Sequence, residues 1–188
     1  LLVGDTIIDE YRYVIPMGKS PKENLIATRF EGMEVFAGGV IATANHIAGL
    51  CREVEVLSCI GDDPTEQELI RANLKDNVKL TAIRRKGTPT TRKVRFIDHD
   101  YFRKLFEVYH FEDEPMTPLL QGEFDNFIAE RAGEHDLVLV NDFGHGLLAP
   151  SSIELLCRLS KFLAVNAQSN SANLGYNLIT RYPRADFI

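Results

Sequence analysis

Five charged side chains and one glycine pair are spaced for chemistry on a hydroxylated or anionic small molecule. Asp5 and Asp9 stand four residues apart around Thr6-Ile7-Ile8, directly after the apolar run Leu1-Leu2-Val3. That run reads as a buried strand stopping at a Gly4-Asp5 turn. Ligands gather at the carboxyl ends of strands in open α/β sheets, and a carboxylate there accepts hydrogen bonds from sugar hydroxyls. Asp5 alone also suits a turn cap; the spaced pair favours a site. Asp142 repeats the arrangement, following the apolar run 137–140 and opening Asp142-Phe143-Gly144-His145-Gly146. His145 is able to bind a phosphate when protonated, although a lone loop histidine is more often a surface residue. Lys93 and Arg95 lie two apart in an alternating stretch and can reach an anionic ligand, or simply form a solvated charged face. Gly38-Gly39 has no Cβ, so the backbone there can approach a ligand closely. The following residues form a small-residue helix whose free N–H groups and positive dipole end point the same way.

The elements that must hold these groups alternate in type. Apolar strand-like runs occur at 1–3, 54–61, 79–84, 136–140 and 162–165, with a sixth beginning at 185–188. Helical patterns separate them. The first has an apolar face of Val40, Ala44, Ile47, Ala48 and Leu50. The second starts at Asp63-Pro64, an N-cap followed by a first-turn proline, with Glu66 and Glu68 favouring the dipole and Leu69, Ile70 and Leu74 inward. The third covers 115–133 with Leu119, Leu120, Phe124, Phe127 and Ile128 inward, and the fourth begins at Pro150 with Ile153, Leu156 and Leu159 inward. A polar, Asn- and Ser-rich loop covers 169–177. Strands alternating with helices predict a parallel α/β sheet. Segments 11–35 and 88–109 depart from that pattern. Both alternate with period two, carry mixed aromatic and basic residues, and read as exposed ribbons that together form a small sheet over a cleft. Such lids exclude water from a reacting group.

Composition narrows the classes. With 188 residues, 45% of them hydrophobic, the chain can bury a sizeable core. A net charge of −6 without a basic stripe argues against a nucleic-acid partner. No apolar run approaches the roughly 20 residues of a membrane-spanning helix, so no membrane partner is expected. Cys51, Cys59 and Cys157 lie far apart in apolar runs, without Cys-x-x-Cys spacing, and read as buried free thiols of a cytoplasmic protein rather than disulfide or metal ligands. Both ends read as cut inside strands, which suggests a fragment of a longer protein.

Four stretches, in order and spacing, carry a resemblance. They are Val3-Gly4-Asp5-Thr6-Ile7-Ile8-Asp9-Glu10-Tyr11, Gly38-Gly39 with Asn45-His46-Ile47-Ala48, Pro89-Thr90-Thr91-Arg92-Lys93-Val94-Arg95, and Val138-Leu139-Val140-Asn141-Asp142-Phe143-Gly144-His145-Gly146. Together they resemble the first part of the ribokinase-like, PfkB-type carbohydrate kinases, nearest to the kinase domain of bacterial heptose-phosphate kinases. The resemblance implies a doubly wound, mostly parallel sheet flanked by helices with a small β lid. It implies ATP-dependent phosphorylation of a sugar or sugar phosphate, with ATP and Mg²⁺ as cofactors and a possible homodimer through the lid. Carried over by position, Asp9 and Asp5 hold sugar hydroxyls, Gly38 and Gly39 bring backbone to the sugar, and Lys93 and Arg95 lie near a phosphate already on the substrate. Asp142 sits between sugar and triphosphate, and Asn166 lies on the nucleotide side.

Departures accompany the resemblance. Ala42 stands where the family usually has a sugar-binding Asn, His145 where heptose kinases tend to have Lys, and Asn166-Ala167-Gln168 where they often have Asp-Pro-Lys. The family's late Gly-x-Gly-Asp, which supplies the base and the helix N-terminus beneath the transferring phosphoryl group, is not among these residues. The expectation is therefore a sugar-binding half with no catalytic residue and no metal ligand of its own. The alternative is a non-catalytic kinase-like module that binds a sugar phosphate or nucleotide. A nicotinamide-binding reading fits poorly, because the first strand runs into Gly-Asp rather than a Gly-x-Gly-x-x-Gly turn.

Overall fold

The computed structural model describes residues 1–112, 114–171 and 173–188. Among the described residues nine strands form two sheets, accompanied by four α-helices. The first sheet contains β1 (Leu2–Gly4), β4 (Val54–Gly61), β5 (Val78–Arg85), β8 (Val138–Asp142) and β9 (Leu163–Ala167), all parallel, in the order β5-β4-β1-β8-β9. β1 is central, and the winding reverses beside it: β4 and β5 build outward on one side, β8 and β9 on the other. The carboxyl ends of β1 and β8 therefore flank the topological switch point, where this class of sheet binds ligands. An isolated parallel bridge from Phe187 to Ala164 begins the expected sixth strand.

Side-chain alternation in the sheet feeds two cores. Leu2, Val54, Val56 and Ile60 pack with Val40, Ile41 and Ala44 of α1 (Val40–Ile47) and Ile70 of α2 (Pro64–Ala72). Leu1, Val3 and Leu57 pack with Phe124 and Ile128 of α3 (Pro118–Arg131) and Ile153 and Leu156 of α4 (Pro150–Leu159). The helices start where their local sequence dictates. Asp63 caps α2 by accepting from the Thr65 N–H at 2.8 Å, and Pro64 occupies the first turn. Thr117 and Pro118 do the same for α3. Some expected inward residues point out instead. Leu50 is 89% exposed because α1 ends at Ile47, and Leu119 is 74% exposed because it lies in the first turn of α3, ahead of the packed face. Glu66 is buried rather than solvated at the helix start. The thiols are free, but only Cys157 is buried; Cys51 is exposed in the loop after α1 and Cys59 is partly exposed at the end of β4. Among the described residues no helix is long and apolar enough to cross a membrane.

The second sheet has the order β3-β2-β6-β7, built from β2 (Thr6–Lys19), β3 (Ile26–Gly39), β6 (Arg92–Asp98) and β7 (Arg103–His110). The ribbon is longer than the expected 11–35. Thr6 pairs with Gly39 and Asp9 with Phe36, so the residues read as a turn after β1 already belong to the lid. Only Asp5 separates the central core strand from the central lid strand.

Candidate functional site

The lid's register assembles the site. Asp9 lies opposite Phe36 on one side and Lys93 on the other; Tyr11 lies opposite Glu34 and Arg95; Lys93 and Arg95 lie opposite Tyr109 and Glu107. Opposed residues share a face, so one lid face carries three carboxylates, two cations and several aromatic rings. Arg95 Nη1 donates to Asp9 Oδ1 at 2.5 Å, its Nε lies 3.6 Å from Glu107, and its guanidinium sits 5.3 Å from the Tyr11 ring centroid. Arg95 is thereby a clamp on Asp9 rather than a free cation. Burial alone would lower its pKa, but Asp9 and Glu107 raise it on balance, so the clamp stays charged.

Gly38 explains itself here. A Cβ at that position would overlap the Asp9 carboxylate, and one at Gly39, whose φ is +61°, would run into the Asp5 carbonyl. The glycine pair accommodates the chain's own carboxylate and backbone first. The Val40 N–H at the start of α1 is likewise taken, by the Asp5 carbonyl at 2.9 Å. Gly38 also borders an open cleft of about 500 Å³ with Asp9, Tyr11, Phe36, Ala42 and Asn45. Tyr11 and Phe36 meet edge to face at 5.9 Å. A carboxylate beside aromatic faces suits a polyol, whose hydroxyls donate to the acid while its C–H faces cover the rings. Asn45 spends one amide N–H and one carbonyl lone pair on the chain itself, bridging the Asn73 carbonyl and the Lys75 N–H.

Lys93 is the cation left over. It is 5% exposed, with its ammonium 5.2 Å from the Tyr109 ring centroid and 5.8 Å from that of Phe143, and no described carboxylate within ion-pair distance. Burial, reinforced by Arg95, lowers its pKa. An incoming anion would offset that cost.

Beneath the lid, two strand-end acids hold one loop. Asp5 Oδ2 accepts from the Phe143 N–H at 2.9 Å. Burial pushes the Asp5 carboxyl up to about 7, against that hydrogen bond, with the nearby Asp142 adding to the rise. Asp142 is 2% exposed and fully engaged. It accepts from Tyr182 Oη at 2.8 Å, Asn177 Nδ2 at 3.0 Å, the Gly144 N–H at 3.0 Å and Arg181 Nη1 at 3.3 Å. Asn170 and Asn173 both donate to the Phe143 carbonyl. The expected polar loop 169–177, of which Ala172 lies outside the described residues, is therefore the mould for the Asp142–Gly146 turn. His145 fits neither of its two sequence readings, the phosphate ligand that binds when protonated or the plain surface residue. It is 8% exposed, and burial, reinforced by Lys93, lowers its pKa to about 4, so the ring is neutral at physiological pH.

Asp9, Gly38, Lys93 and Arg95 are thus gathered on one side, with Gly39, Asp5 and Asp142 at the strand ends below. Asn166 is apart, exposed on β9 opposite Asn141. Among the described residues no group of three or more His, Cys, Asp and Glu is placed to hold a metal ion. Sequence reading did not single out Tyr11 and Phe36 as lining, although period-two alternation from Asp9 selects Tyr11. Nor did it find Arg181 and Tyr182, which reach Asp142 across 39 and 40 residues with no local signal.

No protein-family profile matches the chain. The chain is 26% identical over 148 residues to D-beta-D-heptose 7-phosphate kinase of Bordetella bronchiseptica, a match covering 79% of this chain and 46% of that protein. Across the first curated relatives it matches, the chain spans between about a third and a half of their length. Among solved structures it superposes on phosphofructokinase-2 from Escherichia coli in complex with fructose-6-phosphate, with a TM-score of 0.63, 12% identity and coverage of 91% of this chain and 55% of that one. It also superposes on Arabidopsis thaliana ribokinase complexed with ribose and ATP, with a TM-score of 0.58, 14% identity and coverage of 90% and 53%. The chain has the ribokinase-like fold of the PfkB-type sugar kinases, and its curated relatives carry the names D-beta-D-heptose 7-phosphate kinase and bifunctional protein HldE.

Proposed function

We propose that this chain is the sugar-binding part of an ATP-dependent carbohydrate kinase acting on a phosphorylated sugar of the heptose 7-phosphate kind. The observation that carries the reading is Asp9, clamped by Arg95 against Gly38 at the edge of an aromatic cleft, with Lys93, which makes no ion pair among the described residues, beside it. Asp9 accepts sugar hydroxyls, and Arg95 orients it. Lys93 meets the substrate's phosphate. Asp142, saturated by its cage, shapes the turn below the sugar instead of contacting it. Asp5 ties that turn to the lid root. ATP, with Mg²⁺, is the phosphoryl donor; when bound it supplies the γ-phosphoryl group that a sugar hydroxyl attacks. Asn166 is the residue here that lies toward the nucleotide. The lid's outer apolar side chains, including Phe106 and Met33, at 52% and 59% exposure, suit pairing with a second copy. The relatives' names support the kinase reading, and the buried, neutral His145 favours the second one, a binding module without turnover.

Calorimetric titration with a heptose 7-phosphate, the matching unphosphorylated heptose and inorganic phosphate tests this. The proposal expects the sugar phosphate to bind at least tenfold more tightly than either, with loss of that preference in Lys93→Met. Equal affinity for both sugars removes the phosphate assignment. ATP turnover by these 188 residues alone, above a protein-free control, would overturn the sugar-binding-half assignment. Sugar-phosphate binding without turnover in the full-length parent protein would select the binding module.

A further inference from the structure

A second recess, sharing no lining residue with the aromatic cleft, lies where the two sheets join. It measures about 40 Å³ and is lined by Asp5, Thr6, Arg85, Thr90, Glu112 and His145 among its polar residues and by Ile60, Met116 and Leu147 among its apolar ones. The volume is too small for a sugar or nucleotide but admits two or three water-sized molecules, each needing roughly 10–15 Å³. Both ring nitrogens of His145 are shielded from solvent and have no hydrogen-bond partner among the described residues. A neutral imidazole carries one donor and one acceptor, and burying both unpaired is unfavourable. Asp5, 6% exposed, lines the same recess and commits one oxygen to the Phe143 N–H. Thr6 and Thr90 are held in place by Ser58 and by the Gly61 N–H and keep hydrogen-bonding capacity.

The occupant must donate to one ring nitrogen and to a carboxylate while accepting from the other ring nitrogen. An anion would meet two acids, Asp5 and Glu112, against the one cation of the lining, Arg85, whose Nη2 already donates to the Glu114 carbonyl at 2.8 Å. Among the described residues no group of acids, thiols and imidazoles is arranged for a metal ion. We propose that the recess is a hydration site in which ordered water bridges His145 and Asp5. Its place gives it a role. Three of the four chain crossings between core and lid line it: Asp5–Thr6, Pro89–Thr91, and the segment of Glu112 and Met116. Water there keeps the crossings hydrogen-bonded while allowing their separation to change.

A high-resolution crystal structure, with water-to-amide cross-relaxation in the ¹⁵N-labelled protein, tests occupancy in the unmodified chain. Ordered density within hydrogen-bond distance of a His145 nitrogen and an Asp5 oxygen is expected, together with a long-lived water signal at the Phe143 amide. Thermal unfolding of His145→Leu and His145→Gln tests the energetics. A wet site predicts a lower midpoint for the leucine variant and a near-native one for glutamine. A recess without density, or a midpoint raised by leucine, overturns the proposal. Should the leucine variant not fold, density and the glutamine variant decide.

Discussion

The two sheets of this molecule are held by different forces. The core sheet is parallel, apolar on both faces, and packed by helices through side chains such as Val3, Val40, Phe124 and Leu156, all without solvent exposure. The lid sheet leaves Phe30, Met33, Phe106 and Val108 between 41% and 60% exposed; it buries a smaller apolar set, including Ile7, Ile8 and Val94, and adds charged links to the core. Arg92 of β6 bridges Glu10 of β2 at 2.7 Å and Glu66 of α2 at 2.9 Å, and the second Glu66 oxygen accepts from the Thr90 N–H. Hydrophobic burial dominates one layer; in the other a smaller apolar set is supplemented by ion pairs and backbone ladders. A binding site between them has rigid strand ends below and a movable face above.

The largest effect should come from the core. Phe124→Ala is expected to cost about 3–5 kcal/mol in denaturant unfolding, whereas Phe106→Ala on the lid should stay within about 1 kcal/mol. Similar losses would mean that the lid is packed as tightly as the core. Next comes the junction. The Asp5 pKa is raised to about 7 in the folded chain from an ordinary 3.8, so the folded state holds the proton more tightly and stability falls as pH rises between those values. Asp5→Asn should remove that fall, a gain of roughly 2–4 kcal/mol at pH 8. His145 acts in the opposite sense. Its pKa is lowered to about 4 from 6.5, so stability is lost as pH drops through that interval. The wild-type profile between pH 4 and 7 should therefore be flatter than that of either single variant, which thermal unfolding across pH would show.

Smaller still, Arg92→Ala leaves Glu10 and Glu66 buried without their shared partner. A cost of about 1–3 kcal/mol is expected, with amide exchange accelerating in β2 and β6 before β4 or β8. Uniform acceleration would remove the distinction between the layers. The smallest effect on stability is Asp9→Asn, within about 1 kcal/mol because the Arg95 pair is partly solvated. Its effect on sugar-phosphate binding, by contrast, should be at least tenfold.

The core was legible in the sequence because buried parallel strands and amphipathic helices leave local, periodic traces: every strand of the main sheet was anticipated within a few residues. The lid was legible as ribbons from the alternation around Tyr11 and through Lys93–Tyr109. Its pairing order, and so the clamp of Arg95 on Asp9, depends on register between segments 86 residues apart, which no local pattern encodes. The burial of His145 and the cage around Asp142 were invisible for the same reason. An Asn-rich stretch looks like a solvated loop until Asn170, Asn173 and Asn177 are seen turned inward on Phe143 and Asp142.

The single residue between β1 and β2 makes the lid's polarity a matter of counting. One residue inserted or deleted at Asp5 would reverse which side chains of β2 look into the cleft. Asp9, Tyr11 and Tyr13 would exchange places with Glu10, Arg12 and Val14, and a carboxylate meant for the ligand would face outward. A lid exchanged between homologous chains therefore transfers its specificity only if the interval from Gly4 to Asp9 is kept residue for residue. The join works as a ruler, and its unit is one peptide.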